Sequence, residues 1–346
     1  MKLSAENTKS IDVLNIGLII LSLIVAFKIP FELFLFSYAV LGPLHYLTEI
    51  NWLNEKNYFV KEKKWMWLFV FVAVLLTIPV ILLLPALKSL NGEQLARSMY
   101  KYSTDFFFSF FFVTFLFAIS LVYLKKWQYI LLSLVGIIAG TVLILKYKLF
   151  SIAFLGMFLP TILHVYVFTW LFMIYGTFKT KNKAGIISCV LLLLCPFVIF
   201  TSSVNPESYH LSESVQSNFL KSDFQNVSAY IAQVFGLLND DGKFHMVSEA
   251  GIKIQIFIAF CYTYHYLNWF SKTSVIGWNK NITKPKFLIV LGLWLVAMGL
   301  YWYDYKIGFA ALFTLSLIHV FFEFPLNVVS VQGIYHGIFS GTKTGK

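Results

Sequence analysis

Charge is what this 346-residue chain has least of. Asp, Glu, Lys and Arg make up 12% of it, whereas 59% is hydrophobic and the mean hydropathy is +0.76. A soluble domain carries roughly 25% charged residues, so this composition excludes one. Carboxylates are especially scarce, and only Glu49 and Glu323 fall well inside apolar runs. Cysteine is limited to Cys189, Cys195 and Cys261. They lie in apolar runs without CxxC or metal-ligand spacing and read as small buried hydrophobes. There is no GxGxxG, no Walker loop and no GxSxG, so none of those motif-based readings applies. The HxxxH and HxxHH boxes of membrane desaturases are missing too, which argues against that fold.

What remains is a sequence of apolar runs, each near the 20 residues a bilayer crossing needs. Ten are expected, at 11–30, 31–53, 65–89, 104–124, 127–146, 148–178, 184–202, 251–272, 285–304 and 306–327. The predicted fold is therefore all-α, a polytopic transmembrane helical bundle forming a single integral-membrane domain over 1–346. The net charge of +11 comes from lysines in short loops, where basic residues set topology and meet lipid headgroups. It does not point to nucleic acid. With the N-terminus inside, 17 Lys or Arg fall on the cytoplasmic side against 10 opposite. The cluster Lys56, Lys61, Lys63 and Lys64 weighs most. Both termini are thus expected in the cytoplasm, of a bacterial inner membrane. Lys2 and Lys9 precede the first run, but no small-x-small cleavage site follows, so that run reads as an uncleaved helix. Tight third to fifth connections predict antiparallel hairpins. Gly136 and Gly140 form a GxxxG and predict a close helix contact. The long connection 203–250 is non-cytoplasmic on this map. Phe224, Val227, Tyr230, Ile231, Val234, Phe235 and Leu238 give it an interfacial helix ended by Asn239-Asp240-Asp241-Gly242.

The chemistry lies in polar residues that hydrocarbon makes costly. His45 and Glu49 are four apart and share a helix face, as do His319 and Glu323. His164 and His265 sit in two further runs. All four histidines occupy even-numbered spans, which run in one direction, at similar depth. One layer would then hold four imidazoles and two carboxylates. Neutral imidazole is a common ligand for Fe, Zn and Cu, and a carboxylate can ligate or hold an imidazole N–H. The expected metal ligands are His45, His164, His265 and His319. Glu49, Glu323 and Asn268 are expected to act beside them, Asn268 because it can share a face with His265. Tyr262 and Tyr166 lie near their histidines, and Pro43, Pro160 and Pro325 can loosen the local backbone. His210, His245 and His336 read as surface residues.

Gly42-Pro43-Leu44-His45 with Glu49 resembles the Brp/Blh family of membrane carotene dioxygenases, and Tyr264-His265-Tyr266-Leu267-Asn268-Trp269 looks similar to a later family segment. Leu44 separates Pro43 from His45, Tyr46 stands where that family has glycine, and Trp269 replaces a second histidine. The resemblance implies iron held by His45 and His265 and oxidative cleavage of a carotenoid double bond by O₂. The expected function is a membrane iron-dependent oxygenase acting on a lipid-soluble substrate, for which the resemblance implies a carotenoid-like molecule. The rivals are a zinc hydrolase of a lipid amide or ester, a b-type haem electron carrier, and a proton-coupled transporter.

Overall fold

The computed structural model describes residues 5–56, 64–84, 92–147, 158–273 and 282–340. Among them every regular element is helical. Eight helices are long and apolar enough to cross a membrane. They answer eight of the ten expected spans. The other two are also helices, α5 (Gly92–Tyr123) and α11 (Glu249–Lys272). The second is more polar because it carries Gln255, Thr263, His265 and Asn268, all buried against protein. Packing divides the chain into two units, Met1–His45 with Phe172–Phe309, and Tyr46–Leu171 with Ala310–Lys346.

The first unit is built around α11. Helix α1 (Ala5–Lys28) packs against it and against α8 (Lys183–Thr201). Ile29 leaves the helical region before Pro30, as steric conflict with a following proline requires, and α2 (Pro30–Phe36) starts there. Polar side chains tie these helices together. Ser37 and Thr263 hydroxyls lie 2.7 Å apart, Asn15 donates to Ser271 at 3.1 Å, and Tyr264 donates to Asn15 at 3.2 Å. Ser248 caps α11 by accepting from the Gly251 N–H. Gly251 is required there, since a Cβ would come within 2.2 Å of the His245 carbonyl oxygen.

The connection before α11 holds two short helices, α9 (Glu213–Lys221) and α10 (Phe224–Val234). Their inner aromatic residues dock on α2: Phe219 edge-on to Phe31 at 5.1 Å, and Phe224 on Phe34 at 4.5 Å. Helix α10 stops at Val234 rather than running to Leu238. Gly236 takes a left-handed φ of 66°, and the Leu237 N–H reaches back to the Ala232 carbonyl, a Schellman-type ending. The turn at Asn239–Gly242 is present. Lys221 pairs with Asp304 at 2.8 Å, and the Asp304 carboxylate also accepts the N–H groups of Lys306 and Ile307. Burial disfavours charge at Asp304, but the Lys221 ammonium and those N–H groups outweigh it and hold the carboxyl below the usual range.

In the second unit α5 packs on α4 (Lys64–Leu82) and on α6 (Trp127–Tyr147), as expected for the third and fourth connections; the fifth lies outside the described residues. Phe69, Phe111, Phe117, Phe321 and Phe324 fill its interior. Phe111 meets Phe321 edge-on at 5.3 Å. Thr314 donates to Thr77 at 2.9 Å across two helices. The GxxxG expectation is not met among the described residues: a Cβ on Gly136 or Gly140 would meet nothing within 4 Å. Helix α4 ends at Leu82, short of the expected residue 89, and 85–91 lie outside the described residues. So do Lys61 and Lys63 of the basic cluster and residues 148–157 at the start of the expected sixth span.

Two devices set the site helices. The run after α2 widens to a π-helix over Ser37–Leu41 before α3 (Gly42–Lys56) begins. A longer π-helix covers Leu159–Phe168 and leads into α7 (Thr169–Thr180). Such segments bear a local misfit in the ladder and are frequent at functional sites. The second has Pro160 in its first turn, where a missing N–H is tolerated. Helix α12 (Lys284–Tyr303) precedes α13 (Tyr305–Ser340), which continues past the expected end at 327 and through Pro325. At 1.5 Å per residue the 36 residues of α13 span about 54 Å, longer than a hydrocarbon core of about 30 Å.

Candidate metal centre

The first unit supplies one histidine pair. His45 follows the short π-helix on α3, and His265 projects from α11. Both are buried, with Nε2 atoms 3.1 Å apart and rings crossed at 73°. Tyr266 and Trp269 wall the His45 ring at centroid distances of 5.1 and 5.6 Å. Trp269 thus lies beside the pair as a hydrophobic wall. Asn268 is buried, and its Oδ1 has no hydrogen-bond partner among the described residues.

The second unit supplies the other pair together with both carboxylates. His164, midway along the longer π-helix, places Nε2 3.0 Å from Nε2 of His319 on α13. Its Nδ1 lies 3.5 Å from Glu323 Oε2. The Nδ1 of His319 faces the backbone carbonyl of Ser316. Ligand atoms of Glu49, His319 and Glu323 all lie within 4.8 Å of one another, and all three residues are buried. The Tyr46 ring stacks on His319 at 4.3 Å. Tyr46, the Ser316 carbonyl and the π-helical backbone were not singled out from sequence as parts of the site. Pro43 and Pro160 were the available signals for the last of these. His210, His245 and His336 are exposed, as expected.

The tautomers carry the chemical argument. A carbonyl oxygen only accepts, so His319 holds its proton on Nδ1 and turns an Nε2 lone pair inward. Glu323 Oε2 lies 3.5 Å from His164 Nδ1; with the proton on Nδ1 there too, the two Nε2 lone pairs would face each other at 3.0 Å, an arrangement that a cation makes favourable. Glu49 and Glu323, buried side by side, would repel if both were charged with nothing positive between them. The distance agrees. With metal–nitrogen bonds of 2.0–2.1 Å, adjacent ligands on one ion stand about 2.8–3.4 Å apart.

No family model, curated protein or solved structure matches this chain. The functional argument therefore rests on the site itself. A buried group of histidines and glutamates on apolar helices fits a metal ion in number, chemistry and spacing.

Proposed function

We propose that this protein is an integral-membrane, iron-dependent oxygenase acting on a lipid-soluble substrate. One ion would be held by His45, His164, His265 and His319, with Glu49 and Glu323 completing or orienting the set. The observation that carries the reading is the close approach of the buried His164 and His319 Nε2 atoms, 3.0 Å apart, with the Ser316 carbonyl behind His319 and Glu323 beside His164. Within the second unit, Tyr46 stacks on His319 and Glu49 lies one turn further along α3.

Iron in such a site supplies the redox chemistry that O₂ needs to react with a closed-shell organic substrate. The chain's own residues would hold the ion rigid and shape an apolar cavity for the substrate. O₂ and an apolar substrate both partition into the bilayer, so a centre within apolar helices meets both. A carotenoid-like substrate, cleaved at a double bond, follows from the resemblance of Gly42-Pro43-Leu44-His45 and Glu49 to the carotene dioxygenases. The bacterial inner membrane with cytoplasmic termini remains the proposed location, from the distribution of lysines.

A second reading is favoured by the two carboxylates at the site. Zinc could activate a water with Glu49 or Glu323 as base, giving a lipid amide or ester hydrolase. Metal analysis and a visible spectrum of the purified protein separate the two. The expected result is one iron per chain, no haem Soret band, and loss of the iron in His45→Ala and His265→Ala. Stoichiometric zinc without iron would replace the oxygenase with the hydrolase, and metal-free protein from metal-replete cells would end both.

A further inference from the structure

The polar face of α13 does not stop at the metal site. Three positions follow His319 on the same helical stripe: Glu323, Asn327 and Ser330, at i+4, i+8 and i+11. Asn327 is 3% exposed and Ser330 1%. Asn327 stands one turn beyond Glu323 on that stripe. Neither its Nδ2 nor its Oδ1 has a partner among the described residues, and neither has the Ser330 hydroxyl.

This contrasts with other helical hydroxyls in the same unit. Thr77, Thr141 and Thr169 each donate to the carbonyl four residues back, at 2.7, 2.8 and 3.0 Å. Ser330 makes no such bond. A buried polar group left unpaired costs about 1–3 kcal/mol, and here three atoms in succession carry that penalty. A buried water with two to four polar partners removes it. Glu323 Oε2, the Asn327 amide and Ser330 Oγ supply partners at successive turns. Beyond Ser330 the stripe continues to Gly333, which is half-buried, and Gly337, which is exposed. From Glu323 to Gly337 is about 21 Å along the axis.

We infer that Glu323, Asn327 and Ser330 bind a file of water leading from the metal site along α13 to its exposed C-terminal end. The inference rests on the reading of Glu323 as part of that site. It gives the centre two separate supplies. Apolar reactants arrive laterally from lipid, and water arrives along the helix axis at the Glu323 side.

Cysteine accessibility tests this directly. Cys189, Cys195 and Cys261 are buried and would first be replaced by alanine. Asn327→Cys and Ser330→Cys would then be exposed to a small, charged, membrane-impermeant methanethiosulfonate reagent. Phe324→Cys, fully buried on another face of α13, is the control. Labelling at Ser330→Cys, and more slowly at Asn327→Cys, is expected to run roughly tenfold or more above the control. Rates equal to the control at both positions would overturn the water file. Should a cysteine variant fail to fold, radiolytic labelling of the unmodified chain in isotopically heavy water replaces it. The buried part of α13 should then incorporate label above the Phe111 and Phe117 core, and equal incorporation refutes the file. Metal content of each variant, read alongside, separates the two readings. Inert cysteines in metal-loaded protein sink only the file, whereas accessible cysteines in protein that never holds metal sink only the metal centre.

Discussion

Stripping the metal should cost the protein measurable stability, and the structure says where the cost arises. Without a cation, the Nε2 lone pairs of His164 and His319 face each other at 3.0 Å. Glu49 and Glu323 are then crowded in a group whose ligand atoms lie within 4.8 Å of one another. A bound ion stabilises the folded state by mass action, about 2.7 kcal/mol when free metal is a hundredfold above its dissociation constant. At about 2–4 °C per kcal/mol for domains of 150–250 residues, the melting temperature should fall by about 5–10 °C. The assay is a thermal melt in detergent, with and without a membrane-permeant chelator, on wild type and on His319→Ala. Wild type should shift and the variant should not, because its site no longer closes around an ion. If chelator leaves wild type unmoved, or if His319→Ala retains full metal, the two imidazoles share an ordinary N–H···N hydrogen bond and the metal assignment fails.

Three further outcomes are expected. Glu49→Gln should weaken metal affinity by about 10–100-fold without preventing insertion, as loss of an orienting carboxylate does; competition with a chromogenic chelator measures it. Gly308→Ala should destabilise the first unit by about 1–3 kcal/mol, because the new Cβ would fall 2.6 Å from Tyr301 Cγ and 2.8 Å from its Cα; a melt showing no loss would refute the contact. In the loop before α11, hydrogen bonds from His245 and from the Lys243 N–H hold the Asp241 carboxyl below its usual range. A depressed carboxyl stabilises above its unfolded value and loses that contribution as pH falls through its folded one. Amide exchange at Lys243, referred to the intrinsic rate, should therefore rise on acidification, and a flat profile would refute the assignment.

The helical class was legible because composition and apolar run length bound it physically. The partners of each histidine were legible only in part. His45 with Glu49 and His319 with Glu323 are local pairs, visible from helical spacing alone. That His164 would meet His319, and His45 would meet His265, depends on contacts 155 and 220 residues apart in sequence. The misreadings have local causes. Gly136 and Gly140 have the spacing of a packed helix face, but spacing does not tell which way the face turns. Leu238 continues the period of α10, yet Gly236 adopts a left-handed conformation two residues earlier and ends the helix. Ser330 lay beyond residue 327, where α13 was expected to stop, so the stripe it continues was out of view.

The longer π-helix makes the position of His164 depend on residue count as well as residue type. A regular helix turns about 100° per residue, so adding or removing one residue swings everything beyond it to another face. Deleting a single residue between Leu159 and His164 would let the segment relax to an ordinary helix. The imidazole would then have to turn away from His319, or the rest of α7 would. Length change in this ten-residue stretch should therefore be tolerated far less than substitution of its apolar side chains, and a deletion scan would show the site as a sharp notch.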